Sequence, residues 1–452
     1  GCSGHEAAQI AAALSIQEGK DWSYPYYRDG AYTLALGVTP REHLLSFLAR
    51  ADDPSSGGRQ MPMHYSNKNL RIVSQSSATG TQYLQSVGCA LTRKLEKNKE
   101  VVYVSSGEGT TSQGDFHEAL NWASREKAPV IFHIQDNEYA ISTHKSEQTA
   151  GSVYSLVSGY ENLSKIQIDG TNFFESNLAF KQAVERARRG KGPTVIISNV
   201  VRLMPHSSSD DQRKYRSEED LAKDMARDPI ELFKNSCINE NIFTENDAEK
   251  IAQKSSKQIA DDISWADDQD HPNKETATDH IYSGEHVGKE TKIVKKADSV
   301  VMVDAINHAL HEEMDKNEKM VIYGQDIADP KGGVFTATKG LSNVFGKERV
   351  FNAPIAEDFI VGTANGFSRF RDDIRVVVEG AEFADYFWPA MEQLVECSHD
   401  YWRSNGQFSP NVVIRLASGG YIGGGLYHSQ NIEGTLTTFP GLRVVSPSFA
   451  DD

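Results

Sequence analysis

The chain has 452 residues, enough for two or three domains that each bury a core, and a formal net charge of −16 with a pI near 5.4. That acidity argues against nucleic acid or an anionic membrane surface as a main partner. No apolar run approaches the roughly 18 residues a membrane span needs, and no charged-then-apolar leader opens the chain. Cys2, Cys89, Cys237 and Cys397 are too scattered for a disulfide framework or a structural zinc site, which fits a reducing, cytoplasmic setting.

In chain order, "GCSGHEAAQIAAALSI" opens without an initiator Met. Apolar runs at 101–106 (VVYVSS), 129–135 (PVIFHIQ) and 194–201 (TVIISNVV) predict buried strands. Helical patterns at 112–128 and 180–191 alternate with them, as in a parallel sheet with crossover helices. A first domain over 1–244 follows. Residues 245–297 turn polar and predict one helix over 247–263, then an extended linker. From 298 to 452 the alternation resumes, with a helix over 300–316 and strands over 320–327, 375–383, 412–418 and 442–447 (LRVVSP). The expected architecture is α/β, two doubly wound parallel sheets joined by a polar linker. The end at "VVSPSFADD", just after a strand-like run, reads as a piece of a longer chain.

The stretch "VVYVSSGEGTTSQGD" places Glu108 between two glycines where a strand gives way to a helix. Such turns serve anions, because backbone N–H groups and the helix dipole point outward there. An acid in that position repels phosphate unless a cation lies between them. Asn137 follows Glu108 by 137 − 108 = 29 residues, about one strand-to-strand repeat, and sits at the end of the next predicted strand. Both side chains then reach the same rim of the sheet. With a backbone carbonyl such as that of Tyr139 they form a hard-oxygen set suited to Mg²⁺, completed by diphosphate oxygens and water. An ordinary strand-to-helix turn and an ordinary Asx turn are the plain alternatives.

"GEG" followed by "DN" at this distance resembles the thiamin diphosphate motif, although the usual reading is GDG. With "YYRDG", "GGRQMPMHYS", "SSATGTQYLQSVG", "DNEYAIST" and "HSSSDDQRKYRS", the first half resembles the α subunit of the 2-oxo acid dehydrogenase E1 component. "GRQMP" and Glu108 lean toward the branched-chain type. The resemblance implies that Glu108, Asn137 and the Tyr139 carbonyl hold Mg²⁺. It also implies that Arg28 and His206, with the N–H groups of Gly109 and Thr110, grip the diphosphate, and that Tyr27, Ser77, Thr79 and Gly107 line the cofactor. Ser76, Thr81 and Gln82 fall where the family has a potassium site; a helix N-cap with its first turn reads equally well.

In the second half, "GQDIADPKGGVF", "FNAPIAEDFIVGTANGFSRF", "EGAEFADYFWPAMEQL" and "GGLYHSQNIEG" resemble the E1 β subunit, without its usual third, transketolase C-terminal domain. The resemblance implies that Glu357 is the acid that activates the aminopyrimidine, that Tyr386 faces the cofactor, and that His206 and His428 manage protons. On the residues alone, Glu357 reads as a helix-start acid and His428 as a polar loop residue. The implied activity is decarboxylation of a branched-chain 2-oxo acid and reductive acylation of a lipoylated E2 acyltransferase, by a fused α–β chain acting as a homodimer with its site completed across subunits. Three positions depart from the pattern: Gln135 replaces an Arg, Pro205 a His and Glu382 a Gln. Ser207 and Ser217 lie in a loop that kinases modify in some relatives, a regulation that a fused, bacterial-type chain argues against. The rivals are a pyruvate, acetoin or transketolase-like thiamin enzyme, and a non-catalytic E1-like interaction subunit.

Overall fold

Near-continuous apolar runs form strands only where both faces of a sheet are covered, and of the central strands here Val130–Asp136 is buried throughout and Val102–Gly107 at all but its last residue. The computed structural model describes residues 1–74, 76–283, 299–450 and 452. They fall into two units. One comprises Gly1–Ala90, Asn98–Ala277 and Arg403–Gln407, the other Leu91–Lys97, Thr278–Trp402 and Phe408–Asp452.

In the first unit, β1 (Trp22–Tyr24), β2 (Val102–Gly107) and β3 (Val130–Asp136) are followed by a small antiparallel hairpin, β4 (Tyr139–Ala140) and β5 (Thr143–His144). Then come β6 (Ser164–Asp169) and β7 (Thr194–Asn199). The main sheet is parallel throughout, in the order β1-β2-β3-β7-β6. Gly107 pairs with Gln135 and Asp136 with Asn199, so the strands end together and every following loop leaves from one rim.

The helix expected over 180–191 spans Phe173–Arg188. Asn172 caps it, its Oδ1 accepting from the N–H groups of Phe174 and Glu175. Its buried stripe of Ala179, Phe180, Ala183, Val184 and Ala187 repeats at helical spacing and packs with Ile131 and Ile196. The alanine-rich helix Glu6–Ala13 is thin enough to lie against it.

The polar helix expected over 247–263 spans Glu245–Asp267 and packs on the first unit. Arg41 reaches Asp262 at 2.7 Å and lies over the Trp265 ring, and Arg50 reaches Asp267 at 2.8 Å. Of the extended segment expected after this helix, residues 284–297 lie outside the described residues.

The second unit has its own parallel sheet of β8 (Met320–Gly324), β9 (Val350–Asn352), β10 (Arg375–Ala381) and β11 (Val412–Leu416), in the order β11-β10-β8-β9. Helix Glu357–Phe370 buries Phe359, Ile360, Val361, Ala364 and Phe367. Helix Met302–Lys316 matches the run expected from 300. The expectation of a strand over 442–447 is wrong: these residues pair with no strand among the described residues, and Val445 is exposed. A β-rich run without a neighbour to complete its ladder stays irregular, whatever its composition. No helix among the described residues is long and apolar enough to cross a membrane.

Candidate active site

The rim of the first sheet gathers residues from four strand ends: Tyr26 to Arg28 after β1, Glu108 after β2, Asn137 and Tyr139 after β3, and His206 beyond β7. Glu108 starts a 3₁₀ turn, Glu108–Ser112, that leads into helix Gly114–Glu126. Its side chain is 1% exposed. Oε2 accepts the Asn137 N–H at 3.3 Å, while Oε1 is buried with no hydrogen-bond partner among the described residues. Burial, reinforced by the neighbouring Asp136 carboxylate, pushes the Glu108 carboxyl up to about 7. Lys145 does not relieve it by contact, because its ammonium is spent on Asp136 and Glu138 at 3.1 and 3.0 Å.

Asn137 Oδ1 accepts the Tyr139 N–H at 3.2 Å and keeps a second lone pair. A buried carboxylate oxygen with no partner among the described residues, on a side chain whose other oxygen takes the Asn137 N–H, suits a hard cation, and with the Asn137 amide oxygen these residues fit Mg²⁺. No group of three or more His, Cys, Asp or Glu side chains among the described residues could hold a metal.

Gly109 is required by close approach. A Cβ there would stand 2.6 Å from the Ala140 Cβ, so the 3₁₀ turn and the β4–β5 hairpin touch through a missing side chain. Arg28 is buried and donates to the Gly1 carbonyl at 2.8 Å and to His206 Nδ1 at 3.2 Å. A guanidinium has no acceptor, so His206 Nδ1 carries no proton and Nε2 is left to donate. Burial and then the Arg28 charge hold the His206 imidazole below its usual value. Tyr27 packs edge-on against His206 and under Arg28. The His206 N–H donates to Asp210, whose carboxylate also takes the Tyr215 hydroxyl, and this fixes the loop.

Tyr27, Ser76, Ser77, Thr79, Thr81, Gln82 and Thr110 line one open cleft. Ser76 Oγ and Thr81 Oγ1 stand 3.4 Å apart and equally far from the Ala78 carbonyl, a loose set of three oxygens. Gln82 is turned away from it, Oε1 accepting from Gly80 N–H and Nε2 donating to the Ser105 carbonyl. Arg28, Glu108, Asn137 and His206 lie outside that lining, on the rim.

In the second unit the expected residues also leave one sheet rim. Glu357 opens its helix after β9, and Gln325, just past β8, donates Nε2 to Glu357 Oε1 at 2.8 Å. Tyr386, after β10, and His428, after β11, meet with the hydroxyl 2.7 Å from Nε2, and Phe383 packs edge-on against the imidazole. Burial, with a hydrogen bond to Asp326, raises the Glu382 carboxyl. The two pairs, Glu357–Gln325 and Tyr386–His428, share no hydrogen bond among the described residues.

Several residues behind the rim had not been singled out in the sequence. His5, Gln9 and Asp29 are fully buried and surround Gln135. The Gln135 amide is spent on Asp29, Gln9 and His5, at 2.6, 2.8 and 2.7 Å, so it faces away from any phosphate. His64 Nε2 holds the Ser77 hydroxyl at 2.7 Å beside the cleft. None of these contacts has a local sequence signal, because partners such as His5 and Asn137 are 132 residues apart.

Two parallel α/β units, the first gathering the buried acid Glu108, Asn137, the buried Arg28 and His206 on one rim, define the class of α/β proteins whose polar side chains collect at the carboxyl ends of parallel strands, where such folds take their ligands. Residues 1–275 match the family described as dehydrogenase E1 component, and the chain belongs to that family. Residues 298–452 match the transketolase pyrimidine binding domain. One polypeptide therefore carries both halves of a thiamin diphosphate-dependent 2-oxo acid dehydrogenase E1. E1 components work with 2-oxo acids and a lipoylated E2.

Among its relatives is the 2-oxoisovalerate dehydrogenase subunit alpha of Bacillus subtilis (strain 168), 37% identical over 283 residues, which are 62% of this chain and 86% of that protein. The pyruvate dehydrogenase E1 component subunit alpha of Staphylococcus aureus (strain Mu50 / ATCC 700699) is 29% identical over 299 residues, 66% of this chain and 78% of that protein. The 3-methyl-2-oxobutanoate dehydrogenase subunit alpha of Mycobacterium tuberculosis (strain CDC 1551 / Oshkosh) is 32% identical over 251 residues, 55% of this chain and 65% of that protein.

Proposed function

We propose that the chain decarboxylates a branched-chain 2-oxo acid and passes the acyl group to the lipoyl group of an E2 acyltransferase, acting in the cytoplasm as a homodimer. The observation that carries this reading is the buried, unpartnered Oε1 of Glu108 beside the Asn137 amide, in a chain 37% identical to a 2-oxoisovalerate dehydrogenase α subunit. Thiamin diphosphate, when bound, supplies the electron sink that a 2-oxo acid needs in order to lose CO₂. Residues 1–244 supply the diphosphate and cation hands, 245–297 the connection, and 298–452 the pyrimidine-binding residues.

Glu108, Asn137 and the Tyr139 carbonyl hold Mg²⁺, and Arg28, His206 and the N–H groups of Gly109 and Thr110 hold the diphosphate. Gly107 lets the backbone pass close to the cofactor, and Tyr27, Ser77 and Thr79 line its cleft. The Ser76 and Thr81 hydroxyls serve either K⁺ or the helix start, and Gln82, the third residue expected there, stays with the Gly80 N–H and the Ser105 carbonyl. Gln325 fixes one oxygen of Glu357, and the other would be free to meet the aminopyrimidine of the bound cofactor. Tyr386 holds His428, and His428 and His206 are each assigned to proton movement at the reacting carbon and the dithiolane.

The test gives the full-length protein thiamin diphosphate, Mg²⁺, a lipoyl domain and a panel of 2-oxo acids. CO₂ release and lipoyl acylation fastest with 2-oxoisovalerate are expected. Release without acylation of any lipoyl domain would sink the E1 reading, and preference for pyruvate would move the chain to the other type of relative.

A further inference from the structure

Behind the rim, a chain of buried amides and one imidazole runs from the Arg28 backbone to the cation-binding amide, and its hydrogen-bond polarity is fixed at both ends by backbone groups. At one end the Ala31 N–H donates to Gln9 Oε1 at 3.1 Å, and Gln9 Nε2 donates to the Arg28 carbonyl at 3.1 Å. A backbone N–H can only donate and a carbonyl can only accept, so the Gln9 amide has one orientation. Gln9 Nε2 also donates to Gln135 Oε1 at 2.8 Å, which makes that atom an acceptor. His5 Nδ1, 2.7 Å from the same oxygen, must therefore carry the ring proton.

At the other end the Tyr139 N–H donates to Asn137 Oδ1 at 3.2 Å, which turns Asn137 Nδ2 toward His5 Nε2, 3.2 Å away. With Nδ1 protonated, Nε2 offers the lone pair that this NH₂ needs. His5, Gln9 and Gln135 are all 0% exposed, out of contact with bulk solvent. Gly4 secures the histidine's place: its φ is +96°, and a Cβ there would lie 2.1 Å from the Val201 carbonyl.

We infer that His5 is a positioning residue for the cation site: its Nε2 lone pair takes the NH₂ of Asn137 and so keeps the Asn137 oxygen facing the metal, while Nδ1–H ties that amide through Gln135 and Gln9 to the backbone of Arg28. This rests on the proposed Mg²⁺ role of Asn137 and adds a residue that touches neither metal nor cofactor. Outer contacts of this kind set metal affinity by roughly 10- to 100-fold.

Two polar substitutions separate this role from simple packing. His5→Asn keeps a donor near the Nδ1 position and removes the acceptor that reaches Asn137, whereas His5→Gln extends an amide oxygen to about the Nε2 position. In the full-length protein with thiamin diphosphate, Mg²⁺ is titrated calorimetrically, with Glu108→Ala as control. His5→Asn is expected to raise half-saturating Mg²⁺ roughly tenfold. His5→Gln is expected to stay within about threefold of wild type, with thiamin diphosphate affinity at saturating Mg²⁺ alike in both. Equal Mg²⁺ requirements in the two variants, or a greater loss in His5→Gln, would overturn the inference. Undiminished Mg²⁺ dependence in Glu108→Ala is a different result and overturns the cation site itself.

Discussion

The buried carboxylate of Glu108 is relieved by a proton or by a cation, and the metal-free protein should show the first of these as a pH dependence of stability. Its carboxyl is raised from 4.5 to about 7, chiefly by burial. Between those values the folded chain keeps a proton that the unfolded chain has lost, so metal-free stability falls as pH rises through that window and levels off above it. Glu108→Gln removes this penalty and should stabilise the metal-free protein by about 3 kcal/mol at pH 8 and hardly at all at pH 4.5, read from thermal melts at both pH values. A melting point unchanged at pH 8 would show that the carboxylate is compensated by something else. The same proton competes with the cation, so half-saturating Mg²⁺ should fall about tenfold per pH unit below 7, flatten above it, and lose that slope in Glu108→Gln. At this scale Glu108 and Asn137 were legible because each sits on a strand end one repeat apart. His5 and Gln9 were not, since a buried hydrogen bond between distant segments leaves no periodicity behind.

The turn, hairpin and strand around the acid act as one element because Gly109 lets them touch. Gly109→Ala puts a methyl 2.6 Å from the Ala140 Cβ, and something must move. Overpacking of this kind costs about 1–3 kcal/mol, and here the displaced atoms are those that aim Glu108 and Asn137. The variant should therefore lose thiamin diphosphate affinity as well as stability. Ala140→Gly in the same chain removes the clashing methyl and leaves the Ala140 Cα at 3.6 Å, an ordinary contact. The double variant should recover more than half of both losses; recovery of stability without recovery of binding would separate the hairpin from the site. Element by element, the fully apolar strands were legible because parallel sheets bury both faces. The edge strand Ser164–Asp169, half exposed and alternating, was not picked out. "LRVVSP" failed for the opposite reason, since its β-rich composition has no partner strand to meet.

At the scale of the whole chain, the two units carry different parts of one proposed reaction, and substitutions in each should therefore fail differently. The first unit holds the groups assigned to diphosphate and cation, and its loss is a loss of binding. The second holds Glu357, fastened by Gln325 at 2.8 Å, and its loss is a loss of rate. Glu357→Gln keeps the size and the hydrogen-bonding reach of the side chain but loses the ability to exchange a proton. Positioned acids and bases contribute roughly 10²–10⁴-fold to rate. Glu357→Gln in the full-length protein should thus lower kcat for CO₂ release by about 10²-fold or more while calorimetric binding of thiamin diphosphate and Mg²⁺ changes by less than about threefold. Glu108→Ala should show the reverse order, with metal-dependent binding lost first and turnover falling because of it. If both variants instead weaken cofactor binding equally and leave kcat at saturation intact, Glu357 is only a helix-start acid, the plain reading its position allows, and the proton-handling role must be sought on another side chain of the second unit.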